Sequence, residues 1–266
     1  MADPNELLRQ GDLDGARSAL VEIVRAKPQD VQARMFLFQL LALLGEWDKA
    51  RLQLTTLATL SPEAQMLSAA YGQAIEAERQ RALAFSGDGD VPLHGVHDDD
   101  AETWPLQLAQ ALTCFARGET ARGEELREAA FDAAQDTPGT ANGLAFDWIA
   151  NADSRFGPTF EAIIGGKWGL VPFNVGERIE SAGVRDLRAL MWYPVQIAFR
   201  SGQSAAAMLP GRYPGTESHG AGPEKLGRST TWSAGAAGDQ GLGQQLLTLS
   251  GGEDIGLLEI RSLVFE

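Results

Sequence analysis

The sequence predicts a two-domain chain: an all-α N-terminal superhelix over 1–136, then an α+β domain with an antiparallel sheet over 137–266. Three observations carry this expectation. Landmarks near the N-terminus recur at a fixed spacing of 34 residues. A turn-forming stretch, Thr137-Pro138-Gly139-Thr140, follows the last helical pattern. Beyond Gly165-Gly166 the apolar period drifts from the helical value towards two.

The repeat is explicit. Gly11-Asp12-Leu13-Asp14-Gly15-Ala16 is echoed by Gly45-Glu46-Trp47-Asp48-Lys49-Ala50, and the same offset joins Leu20 to Leu54 and Pro28 to Pro62. Glycine before an acidic turn, with proline closing the second helix of a 34-residue unit, is a tetratricopeptide-like signature. Gly11 and Gly45 end helices where a left-handed backbone is needed. Ala16 and Ala50 let neighbouring helices approach, and Pro28 and Pro62 stop the second helices because proline has no N–H to donate. The first helix is truncated by the start of the chain. Helices are expected over 31–44 and 47–60, with Leu52, Leu54, Leu57 and Leu60 packing against neighbours, and again over 62–85. A flexible acidic loop over 86–103 then leads to a helix over 104–117 and, after the turn-like Gly118-Glu119-Thr120-Ala121-Arg122-Gly123, a helix to about 135, making six or seven in all.

In the second half, 144–150 and 159–164 read as short helices, and 168–175, 190–199 and 205–209 as strands, with Ser201-Gly202 a hairpin turn. Segments 244–249 and 257–265 flank Ser250-Gly251-Gly252-Glu253-Asp254 as a second hairpin, and the final residues alternate apolar with polar.

Composition narrows the function classes. Hydrophobic content of 44% with 22% charged residues is that of a globular chain. A net charge of −14 without a basic stripe repels phosphate backbones, so nucleic acid is not an expected partner. The most apolar run, 35–44, is half the length a membrane span needs, and no signal peptide is apparent, so a cytoplasmic protein without membrane insertion is expected. The single cysteine, Cys114, permits no internal disulfide and reads as a buried, inert thiol.

Candidate chemistry is sparse. His94-Gly95-Val96-His97 before Asp98-Asp99-Asp100 holds metal-ligand residue types, but a Gly/Asp-rich loop lacks the rigid frame that coordination requires, so a solvated loop is expected and no metal or cofactor. Gly241-Leu242-Gly243 has no third glycine at the dinucleotide spacing, and His219 beside Ser218 is no triad. The turns Asp153-Ser154-Arg155 and Arg212-Tyr213-Pro214-Gly215-Thr216-Glu217 pair arginines with carboxylates, while Arg228 and Trp232, four apart, suit one face of a strand. These residues, with Glu161, read as a structural network of bidentate contacts or, more sharply, as a second binding face. An enzyme with Asp153, Arg155, Glu161 and Arg212 lining a cleft is the alternative from another class; a general assembly scaffold or chaperone is a third.

The order of these stretches resembles the ImpE/TagJ family of type VI secretion accessory proteins. Asp153-Ser154-Arg155-Phe156-Gly157-Pro158 with Glu161, Trp168 through Val171-Pro172-Phe173, Asp186-Leu187-Arg188, the Arg212–Glu217 turn, Arg228 with Thr230 and Trp232, and Leu258-Glu259-Ile260-Arg261 carry the likeness. The resemblance implies a non-enzymatic adaptor whose partner is the small subunit of the contractile sheath, held through a helix near that subunit's N-terminus. By analogy with other tetratricopeptide proteins, Gln32, Met35, Gln39, Ala42 and Leu43 would line the concave face that receives it. Core packing remains open for Met35 and Leu43, since an apolar helix face also packs inward.

Overall fold

A computed structural model describes residues 3–96, 103–235 and 237–266. Its first half is a stack of seven helices: α1 (Pro4–Gln10), α2 (Leu13–Ala26), α3 (Val31–Leu43), α4 (Trp47–Leu60), α5 (Glu63–Ser86), α6 (Trp104–Ala116) and α7 (Thr120–Ala133). The repeat landmarks act as their chemistry requires. Gly11 and Gly45 are left-handed at φ 82° and 71°, and the backbone N–H groups at each glycine turn back to carbonyls of the preceding helix. Asp12 and Asp30 cap the next helices by accepting from Gly15 N and Ala33 N at 2.8 and 2.9 Å. Ala16 and Ala50 are fully buried where helices meet. On α4 the packing face is Leu54 and Leu57; Leu52, expected inside, is exposed. Cys114 is half-buried rather than core, and burial raises its thiol pKa.

The second half is built on strands. β1 (Gly139–Ala141), β2 (Leu144–Phe146), β3 (Ile149–Asn151), β4 (Thr159–Ile164), β5 (Lys167–Pro172) and β6 (Gly176–Glu180) precede the short α8 (Arg188–Met191), β7 (Trp192–Phe199) and β8 (Ser204–Pro210). Two single-turn helices, α9 (Thr216–His219) and α10 (Gly222–Lys225), lead to β9 (Thr230–Gly235), β10 (Gly238–Gly243), β11 (Leu246–Leu249), β12 (Asp254–Gly256) and β13 (Ser262–Phe265). The main sheet is antiparallel, in the order β2-β1-β13-β6-β7-β8-β4-β5. β12-β11-β3 and the hairpin β10-β9 form two smaller sheets.

Three expectations are corrected here. Segment 144–150 is two strands rather than a helix, because Asn142 and Gly143, both at positive φ (50° and 86°), turn the chain into the β1–β2 hairpin. Segment 159–164 is β4, hairpinned to β5 through Gly165 and Gly166 at φ 58° and 77°. The turn at Ser250-Gly251-Gly252 joins β11 to β12, not to the chain end; 257–265 contains a 3-10 turn and then β13, which pairs with β1 and β6.

Nor are the two halves loosely tethered. The face that the repeat turns inward is covered by the chain's own sheet half: α3 meets α8, and α5, about 36 Å long, lies along β5. Tyr71 and Trp47 pack on Trp192 with ring centroids 5.4 and 6.2 Å apart, and the Arg188 guanidinium sits 4.9 Å over Tyr71. One hydrophobic core runs from Leu20, Leu40 and Leu57 through to Trp168, Met191, Trp192 and Tyr213, and a second fills the main sheet around Phe160, Phe173, Tyr193 and Phe265.

Candidate functional site

The polar residues singled out in the second half converge on the seam between the halves. Glu161, on β4, is fully buried and receives a bidentate contact from Arg81 of α5, at 2.6 and 2.7 Å. Trp168 Nε1 and Gln245 Nε2 donate to the same carboxylate, each at 2.8 Å. Arg81 also donates to the Arg212 carbonyl at 2.8 Å. Burial works against the Arg81 charge, but Glu161 and Glu78 outweigh it and hold its pKa above the ordinary guanidinium value. Glu78 accepts from Trp192 Nε1 at 3.2 Å and Arg81 at 3.3 Å; burial raises its pKa against the opposing pull of Arg81.

Arg212 is held differently. It donates to the carbonyls of Leu43 (3.0 Å) and Lys225 (2.9 Å) rather than to a carboxylate, and burial lowers its pKa to about 10 despite the nearby Glu217 and Glu78. Glu217 forms no ion pair among the described residues; it packs on the turn glycine Gly45 and borders a cavity of about 220 Å³ with Trp47, Glu78 and Arg81. Asp153 is fully buried, chelated by Arg155 at 2.6–3.1 Å, and accepts from Gly241 N at 3.0 Å. The Arg155 guanidinium lies 5.6 Å from the rings of both Phe85 and Phe156. Thus Asp153, Arg155, Glu161 and Arg212 do gather at one seam, but as buried ties whose partners are internal.

Arg228 and Trp232 do not share a strand face. Arg228 precedes β9 and donates to the Leu8 and Arg9 carbonyls at the end of α1, at 3.2 and 3.0 Å, whereas Trp232 stands half-exposed against Tyr213. His94 is docked rather than solvated: its N–H donates to Leu170 O at 2.8 Å, its ring lies 3.2 Å from Lys167 O, and burial lowers its pKa. His97 and Asp98–Asp100 lie outside the described residues, among which no group of three metal-ligating side chains occurs.

The α3 candidates divide along their helix. Ala42 and Leu43 are fully buried, with the Leu43 carbonyl taken by Arg212, so this end of the concave face is closed. Met35 and Gln39 are half-buried and Gln32 is exposed, so the other end is open. Beside Gln39 a cavity of about 770 Å³ lies between α1, α3 and the segment 184–190, with Leu8, Phe36, Gln39, Leu187 and Leu190 on its walls and Arg9, Arg185 and Arg228 around them; Gln32 and Met35 do not line it. A second groove, about 580 Å³, runs between α5 and the main sheet, past Gln73, Ile163, Val195 and Met208. Arg185 borders both. Sequence reading did not find the groove's far wall, because Val184 to Leu190 faces α3 only through the fold; nor did it find Arg81, Glu78 and Gln245.

Comparison with known proteins follows the same division. Residues 143–264 match the family model described as ImpE protein, and residues 7–75 match a tetratricopeptide repeat model. Over 263 residues the chain is 38% identical to the type VI secretion system accessory component TagJ of Pseudomonas aeruginosa, covering 98% of this chain and 90% of that protein. The fold is also that of the crystal structure of protein VPA1032 from Vibrio parahaemolyticus, with a TM-score of 0.87 and 21% identity over 99% of this chain and 97% of the other.

Proposed function

Because the chain belongs to the ImpE family, we propose that it is an accessory component of a type VI secretion system that acts by holding another protein rather than by catalysis. Its partner on this reading is the small subunit of the contractile sheath, bound through that subunit's N-terminal helix, with a cytoplasmic site of action. The observation that carries the reading is the apolar groove at the uncovered end of α3. It is open and touches α3 through Phe36 and Gln39, as a helix-in-groove contact requires, while Gln32 and Met35 lie on the same helix outside its lining. No described helix is long and apolar enough to cross a membrane.

The catalytic alternative needs an acid or base that reaches a cavity with a free lone pair or proton. Glu161 and Asp153 have every carboxylate oxygen engaged by internal donors, which favours structural roles for both. A general scaffold is separated from the sheath adaptor by the partner itself. Titration calorimetry against a peptide of the sheath subunit's N-terminal helix is expected to give micromolar or tighter binding. Gln39→Arg, which fills the groove, should weaken it at least about tenfold, equivalent to ~1.4 kcal/mol. A helix-competent peptide that does not bind would overturn the sheath reading.

A further inference from the structure

The groove has a charge character opposite to that of the molecule. On a chain of net charge −14, the groove is bordered by Arg9, Arg185 and Arg228, and Asp186 is the one carboxylate residue on its lining. Asp186 is already spent on Arg188, which chelates it with Nε 3.0 Å from both oxygens. Arg9 is matched by Glu6 at 2.7 Å. Arg228 is bonded to two backbone carbonyls, which satisfy its donors without cancelling its charge. Arg185 is exposed and makes no hydrogen bond or ion pair among the described residues. The floor between these cations is apolar: Leu8, Phe36, Leu187, Leu190 and Leu226. At 0.1 M salt the screening length is about 10 Å, so an approaching segment senses the local arginines more than the distant net charge.

We propose that this groove selects an acidic amphipathic helix, its apolar face on the leucine and phenylalanine floor and a flanking carboxylate paired with Arg185. The inference deepens the adaptor reading, on which it rests, by stating the chemistry of the segment recognised. Apolar contact alone would accept any amphipathic helix; the uncancelled cations add the discrimination. A basic helix meets repulsion at Arg185 and Arg228 and is drawn instead to the acidic remainder of the surface.

The test uses the full chain and two synthetic peptides: the sheath subunit's N-terminal helix, and the same peptide with the carboxylates flanking its apolar face converted to amides. Arg185 is exposed and makes no hydrogen bond or ion pair among the described residues, so Arg185→Gln and Arg185→Glu are expected to unfold at the wild-type temperature. The amide peptide should bind wild type roughly fivefold more weakly than the native one. Arg185→Glu should weaken native binding by about tenfold but leave amide-peptide binding nearly unchanged. A lysine placed at the paired peptide position should restore affinity to Arg185→Glu. Association with the native peptide should slow from 50 to 500 mM NaCl, and less so in Arg185→Gln. Native and amide peptides binding equally, or association that speeds up with salt, would overturn the charge rule while leaving the docking site intact. A native peptide that fails to bind wild type removes the docking site, and this inference with it.

Discussion

Glu161 holds four donors in a space that admits no water-facing surface, and the consequence of changing it follows from what remains. Glu161→Gln leaves the Arg81 cation with only Glu78, at 3.3 Å, and presents an amide N–H₂ to donors that need an acceptor. Breaking a buried ion pair on one side costs about 3–5 kcal/mol, which urea unfolding followed by far-UV circular dichroism should read directly. A loss below 1 kcal/mol would show that the seam does not depend on this pair. Glu78 predicts the opposite sign. Burial raises its pKa, with Arg81 opposing, so its protonated form favours the folded state; that contribution is complete below the unfolded carboxyl value and fades as pH rises through the folded one. Above the unfolded carboxyl value the wild type therefore loses folding stability that Glu78→Gln keeps, while Arg81 keeps Glu161. Thermal unfolding from pH 3.5 to 8 should find the variant more stable near neutrality, with the advantage vanishing at the acid end. A variant less stable than wild type at pH 7 would refute this.

Among the elements, the β9–β10 hairpin has, among its several fastenings, one where there is no room for a side chain. A Cβ on Gly241 would lie 2.3 Å from the Tyr213 ring, and the Gly241 N–H donates to Asp153. Gly241→Ala should lift the hairpin and cost about 1–3 kcal/mol, with hydrogen exchange accelerated in 230–243 before the main sheet responds. The helices were legible because their signals are local: Gly11, Gly45, Pro28 and Pro62 each act within one turn of their own position. Strand β4 was not, because Thr159, Phe160, Glu161, Ala162 and Ile163 are all buried, and a strand covered on both faces loses its alternation. The readable signals there were the paired turn residues, Asn142-Gly143 and Gly165-Gly166. Arg81 was invisible for another reason. It lies among Glu76, Glu78 and Arg79, a pattern that suits a solvated helix face, and its partner Glu161 is 80 residues away. Likewise the sequence placed Gln32, Met35 and Gln39 on one helix face but could not show that Arg212 closes the face at Leu43.

For the whole molecule, the continuity of one core across both halves predicts a single unfolding transition. Calorimetry should give a calorimetric enthalpy equal to the van't Hoff value, and two resolved transitions would argue against the shared core. The covered inner face also bears on how the chain is made. On the ribosome the helices emerge first, with the inner surfaces of α3 and α5 ready before Trp168, Trp192 and Tyr213 exist to cover them. The roughly 140 residues from the end of α5 to Leu226 take about 7–28 s to synthesise at ordinary rates. For that interval the nascent chain displays Trp47 and Tyr71, the rings that Trp192 will cover, to its surroundings, so translation speed and early attendance by folding helpers govern how much of the product escapes aggregation.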